Sequence, residues 1–287
     1  MTPTRLVTRD LRLVYLLSAG VALVMTIVSA AGVIDWGRVY SGIDPSLLVL
    51  FVGQDALNLI VGLPILLGSL WLARRGSLIG LLLWPGALFY ILYDYGYYVL
   101  GAPFNAFFLL YIGLMTISAY AMVAIVVSLD AAAVRDQLAA AVRPRLIGGF
   151  LAALAVLFTV LWSALSISSF VGGTPFGLIP RVVTTLDLTI QLPALFVGGI
   201  LLMRRRPLGY VVAAGLLLQA GAYLIGLSAI TVLQEVLMQT PLDPVAVVPG
   251  IVVGVIAAAM LGGFVRASGG EQVIQLTTPR HLATERG

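Results

Sequence analysis

Apolar positions in this chain come in long runs, and polar positions come in short clusters between them. The runs fall at roughly 12–34, 46–73, 78–100, 104–129, 146–170, 182–203, 208–231 and 245–265. Each is about 20 residues or more, the length a helix needs to cross a hydrocarbon core of roughly 30 Å. Barrel strands would be about half as long and would alternate in polarity, so the runs predict helices. The expected fold is an all-α integral membrane protein with about eight transmembrane helices. Composition agrees, because only 10% of the 287 residues are charged, against about 25% in a soluble domain. The lipid bilayer is the one partner this composition demands.

The connections are short. The longest interior one, near Asp130 to Arg145, carries Asp130, Arg135, Asp136, Arg143 and Arg145. It divides the chain into a first four-helix transmembrane half (1–130), a cytoplasmic loop (131–145) and a second four-helix half (146–266). Residues 267–287 are polar and predict a disordered cytoplasmic tail. Near the start, Arg5, Arg9 and Arg12 precede an apolar stretch from Leu13 to Ile34. That stretch exceeds the roughly 7–15 residues of a signal peptide's apolar core, so it is expected to stay as the first span.

All 16 basic residues are arginine. If the N-terminus is inside, inner segments hold Arg5, Arg9, Arg12, Arg74, Arg75, Arg135, Arg143 and Arg145. They also hold Arg204, Arg205, Arg206, Arg266, Arg280 and Arg286, which leaves only Arg38 and Arg181 outside. This bias predicts cytoplasmic N- and C-termini in a prokaryotic plasma membrane. Arginines spread over span ends are no nucleic-acid footprint, so the net charge of +4 implies no such partner.

The two halves resemble each other. A gapless shift of 129 residues superposes Pro64 on Pro193, Arg75 on Arg204, Gly80 on Gly209 and Gly86 on Gly215. Chance and the shared grammar of membrane helices compete as the explanation, since arginine belongs at inner ends in any case. If the duplication is real, an even number of spans in each half makes the four-helix repeats parallel, related by an axis along the membrane normal.

Missing residue types narrow the chemistry. The chain has no cysteine, and its single histidine, His281, sits in the polar tail. Disulfides, thiolate metal sites, iron–sulfur clusters, intramembrane bis-histidine haem and Ser–His catalysis are excluded on ligand supply. Neither a Gly-rich phosphate loop nor a paired-acid diphosphate motif is present, and no cofactor is expected.

What remains is three carboxylates inside spans: Asp55, Asp94 and Asp187. A charge at mid-membrane costs about 2.5–3.5 kcal/mol even on the lenient insertion scale. Asp55, Asn58 and Gly62 share one helix face, and so do Thr184, Asp187 and Gln191. The 129-residue shift superposes these triplets, and a matched proline that frees a backbone carbonyl follows each. In the third span Tyr90, Asp94 and Tyr97 share a face that maps onto Gln219, Tyr223 and Gly226. The same tyrosine-rich stretch, with Tyr93, Tyr95 and Tyr98, also reads as an aromatic belt at the membrane interface.

All three aspartates fall in the outer half, at a depth with no arginine. The expected site is one shared cavity formed by Asp55, Asn58, Tyr90, Asp94, Tyr97, Thr184, Asp187, Gln191 and Tyr223. It would take a small solute, a cation or a proton, as in a small transporter or an ion- or proton-coupled permease. The alternative is a non-catalytic membrane subunit, sensor or assembly factor with a membrane protein partner, whose polar strips only pack helices. A lipid-modifying enzyme is the weakest reading, because only Asp and Tyr supply acid–base groups.

Overall fold

A computed structural model describes residues 6–268. Eight apolar helices are long enough to cross a membrane: Arg12–Ile34, Pro45–Arg74, Leu78–Gly101, Phe108–Val126, Pro144–Val171, Leu178–Met203, Pro207–Leu237 and Pro244–Arg266. They are called the first to eighth spans below. The chain is a polytopic, all-α integral membrane protein. The tail expected over 267–287 lies outside the described residues beyond Ser268.

Local chemistry sets the boundaries. The second span starts at Pro45, behind an Asp44 N-cap whose carboxylate accepts the Ser46 N–H at 2.8 Å. The hydrogen bonds from Ser46 hold the Asp44 carboxyl below its ordinary value of 3.8. The interior connection is not a plain loop. Asp130 caps a short helix, Ala131–Leu138, by accepting from the N–H groups of Ala132 and Ala133. Its apolar residues Val134 and Leu138 are buried, and it packs on the seventh span. The seventh span itself runs six residues beyond its expected end at 231. Gln234, which reads as loop in the sequence, sits inside the helix and donates to the Ser46 carbonyl at 3.2 Å.

The N-terminal segment pairs with the end of the fourth span. Thr8 N–H bonds the Ser128 carbonyl at 2.8 Å, and Asp130 N–H bonds the Leu6 carbonyl at 2.9 Å. Both lie at the face of the bundle that carries the turns with Arg74, Arg75 and Arg204–Arg206, here called the arginine-rich face.

The third span is the centre of the bundle. Its best 18-residue window has the lowest mean hydropathy of the eight, 1.4, yet is 94% buried. Protein surrounds it, so its tyrosines point inward instead of forming an interfacial belt, and Tyr93, Tyr95 and Tyr98 have no exposed surface. The fifth and eighth spans are the opposite extreme at 17% buried, with their apolar faces turned outward to lipid.

The 129-residue correspondence recurs in backbone geometry. The second and sixth spans each contain a single π-helical turn, Asn58–Gly62 and Asp187–Gln191, just before Pro64 and Pro193. Each turn takes in one extra residue next to a proline that lacks an N–H, so the two defects accommodate each other. Beyond these spans come equivalent turns of the same kind. Gly76 (φ +76°) and Arg205 (φ +54°) adopt the left-handed conformation that closes a helix. A Cβ on Gly80 would lie 2.6 Å from the Leu72 carbonyl carbon, and one on Gly209 would lie 2.6 Å from that of Leu201. Contacts between the halves correspond as well. The seventh span packs on the arginine-poor half of the second, and the third packs on the arginine-poor half of the sixth.

Where the third and seventh spans cross, Gly86 and Gly215 meet backbone to backbone. A Cβ on Gly86 would come within 2.7 Å of the Gly215 carbonyl oxygen. Close approach of this kind needs glycine on both sides. Gly86→Val should therefore destabilise the detergent-solubilised protein by about 1–3 kcal/mol, read as a lower thermal midpoint. Gly20→Ala, with nothing within 4 Å of the new methyl, is the neutral control. Equal midpoints for the two variants would mean that this crossing does not hold the halves together.

Candidate functional site

The three carboxylates all face the bundle interior. Asp55 and Asp94 are 1% exposed and Asp187 is 8% exposed. Counted at about 1.5 Å per residue, each sits roughly 10–15 Å from the helix end at the arginine-poor face.

Asp55 projects from the second span between two phenols. Its Oδ1 accepts from the Tyr98 hydroxyl at 3.0 Å, and its Oδ2 accepts a short bond from the Tyr40 hydroxyl. Tyr40 lies outside the spans. Burial first, then the Asp55 charge, push its hydroxyl far above the ordinary 10.0, so it stays a donor. Gly32 of the first span leaves the room for this carboxylate, because a Cβ there would overlap it.

Asp94 ends a chain of hydrogen bonds between the second and third spans. Gln54 Nε2 donates to the Tyr90 hydroxyl at 3.2 Å, and that hydroxyl donates to Asn58 Oδ1 at 3.4 Å. Asn58 Nδ2 then donates to Asp94 Oδ2 at 2.6 Å. The other oxygen, Asp94 Oδ1, is buried with no protein partner. Asn58 opens the π turn, and Gly62 closes it with no side chain in the way of Tyr90. A Cβ on Gly62 would lie 2.9 Å from that ring.

Asp187 opens the equivalent turn of the sixth span and is held from both halves. Its Oδ1 accepts from the Tyr93 hydroxyl at 2.7 Å, and its Oδ2 accepts from Trp162 Nε1 at 2.6 Å. Tyr223 packs edge-on against Tyr93, with ring centroids 4.7 Å apart. Gln191 Nε2 donates to Gln219 Oε1 at 2.5 Å, leaving Gln191 Oε1, Gln219 Nε2 and Thr184 Oγ1 buried and unpartnered. A cavity of about 50 Å³ opens beside this group, lined by Trp162, Asp187, Gln191, Tyr223 and apolar residues of the fifth to seventh spans.

Eight of the nine expected residues are buried and Tyr223 is half-buried, but they fall into separate groups. Asn58, Tyr90 and Asp94 form one network. Asp187, Gln191 and Tyr223 line one cavity. Asp55 has its own pair of phenols, Thr184 Oγ1 has no protein partner, and Tyr97 packs its ring on Phe51 at 5.2 Å. Several direct partners lie outside the expected set. Tyr93 and Tyr98 read as part of an aromatic belt yet donate to Asp187 and Asp55. Tyr40 lies in a connection, Gln54 sits one residue off the expected face, and Trp162 belongs to the fifth span, which carries no carboxylate. An indole at the same depth as the aspartates was the one available signal for Trp162.

No arginine enters this region. The ion pairs among the described residues, Arg12–Asp10, Arg38–Asp35 and Arg135–Asp136, are all at the surface. The carboxylates meet only neutral donors: phenols, an amide and an indole. Such a set can take up and release protons or offer oxygen ligands to a small cation. Among the described residues no cluster of three or more His, Cys, Asp or Glu stands ready for a metal ion. No family model, curated protein or solved structure matches the chain.

Proposed function

We propose that this membrane protein is a small permease that moves protons, or a small cation in exchange for them, through the buried carboxylates of its outer half. One observation carries the reading: three carboxylates lie buried at one depth, with neutral partners only. Helix packing alone is served at lower cost by amides and hydroxyls, as Gln191 and Gln219 illustrate. Two features add support. Asp94 keeps an unpartnered oxygen, and the cavity at Asp187 has room for a few waters or one partly dehydrated cation, on the scale of about 10–15 Å³ per water. Asn58 and Asp187 also open the two π turns, a helix defect that recurs at functional sites.

In this reading the chain is two parallel four-helix repeats, 1–130 and 146–266, joined through 131–145. The arginine-rich face is cytoplasmic in a prokaryotic plasma membrane, and the site opens outward. A second reading rests on Asp55 and Asp187, whose oxygens are both bonded, as pure packing would require. The protein would then be a membrane subunit or sensor that acts through a protein partner.

Reconstitution into liposomes loaded with a pH-sensitive dye decides between the two. The permease reading expects a proton flux above that of empty liposomes, driven by a pH gradient or by an inward gradient of Na⁺, K⁺ or NH₄⁺. Liposomes no leakier than empty ones under all four gradients would remove the permease reading and leave the packing one.

A further inference from the structure

Away from the carboxylates, a second concave surface lies in the arginine-rich half of the membrane. The third, fourth, sixth and seventh spans enclose an apolar groove of about 270 Å³, lined by Phe89, Val123, Val127, Val197, Leu201 and Leu208, among others. Val123, Val127 and Val197 are more than half exposed, so the groove opens sideways to the bilayer. A cavity of about 150 Å³ holds benzene, so this one has room for roughly ten acyl carbons.

The groove ends at a charged turn. Leu201 and Leu208, which line its end, flank Arg204, Arg205 and Arg206 in sequence, and none of the three arginines has a salt bridge among the described residues. The equivalent turn in the first half differs. There Arg74 lies over the Tyr15 ring at 5.2 Å, and Arg75 lies over Trp71 at 3.8 Å. The first half also places Gly76 at the left-handed position of the turn, where the second half places Arg205 at φ +54°. The turn is otherwise the same. Arg205 N–H bonds the Leu202 carbonyl at 2.8 Å and Arg206 N–H bonds the Leu201 carbonyl at 2.9 Å, as Gly76 and Ser77 bond Ala73 and Leu72. A side chain in the left-handed region is strained where glycine is not. Such an outlier points to a use for the side chain, and here the residue brings a third positive charge to the turn that adjoins a lipid-sized groove.

We propose that this groove and turn form a binding site for one anionic phospholipid. The headgroup phosphate lies on Arg204–Arg206 and at the N-terminus of the seventh span, and one acyl chain lies in the groove. Charge complementarity selects the headgroup, since each arginine near an anionic lipid surface contributes about fivefold in affinity, and the helix N-terminus favours the same sign. A zwitterionic lipid with the same chains fills the groove equally well but gains much less at the turn. The site is independent of the carboxylates and stands whether or not the protein transports anything.

The test is native mass spectrometry of the full-length protein, purified in mild detergent with defined mixtures of phosphatidylglycerol and phosphatidylcholine of identical chains. The wild type should retain a single phosphatidylglycerol in preference to phosphatidylcholine. The combined change Arg204→Gln, Arg205→Gln and Arg206→Gln should weaken retention on the order of a hundredfold, from three lost charges. Val123→Trp, which fills the groove mouth, should reduce retention about tenfold. Val156→Trp, on the equally exposed face of the fifth span, should not. Arg205→Gly relieves the backbone strain, so it should fold at least as stably as the wild type while losing part of the preference. Equal retention of the two lipids by the wild type would overturn the proposal. So would wild-type selectivity in Arg205→Gly or undiminished retention in Val123→Trp.

Discussion

Asp55→Asn and Asp187→Asn proteins should reach the membrane at wild-type levels and lose proton-coupled flux by about a hundredfold or more, the scale on which removing a proton-transfer group acts. The amide fits where the carboxylate was. At Asp187 its oxygen can face Trp162 Nε1, which only donates, while its NH₂ faces the Tyr93 hydroxyl, which can also accept. At Asp55 the same exchange is open through Tyr98. On the permease reading, folding needs the shape and the hydrogen bonds, and only the flux needs the ionisable group. Quantitative expression with retained flux would show that these carboxylates only pack helices. Loss of expression in both variants would locate their role in folding, against the permease reading. Asp94→Asn sharpens the comparison. Asp94 Oδ1 has no protein partner, so an amide there loses no acceptor that the protein uses.

Much of the frame was legible in the sequence because lipid punishes exceptions. The first span runs Arg12–Ile34, and the second, Pro45–Arg74, differs from its apolar run by one residue at each end. Hydropathy marks such ends because every unpaired backbone group in hydrocarbon is costly. It fails where polar residues are sheltered by protein. The seventh span continues through Gln234 because that amide finds the Ser46 carbonyl, and no local pattern announces a partner so distant in sequence. The helix Ala131–Leu138 escaped because it is short and carries Arg135 and Asp136 on its open side. The inward-facing aspartates were legible from cost alone. Their partners were not, because burial of Asp55 depends on a phenol from a connection and on an empty Cβ position at Gly32. The two π turns carry no composition of their own. Only the repeated proline, at the same offset from the polar strip, marks where they fall.

Removing both phenols at Asp55 should be the most destabilising conservative change in the bundle. Tyr40→Phe with Tyr98→Phe keeps the rings, so the contacts of both with Phe51 at 5.6 Å survive. What disappears is each hydroxyl that touches the carboxylate, together with the Tyr98 bond to the Phe51 carbonyl. A buried carboxylate stripped of its donors costs about 3–5 kcal/mol if it stays charged, and about 1–3 kcal/mol as an unsatisfied polar group. The double variant should thus unfold in detergent at a clearly lower temperature than either single variant. Adding Asp55→Leu then separates the causes. It replaces the carboxylate by an apolar fork in the space that Gly32 leaves open, so it removes the need for donors. If the loss came from the orphaned carboxylate, the triple variant should recover most of the stability, because a buried polar group and its partners can be replaced together at little net cost. If the triple variant is no more stable than the double, the hydroxyls matter through other contacts. The account of Asp55 as a charge held by two phenols then fails.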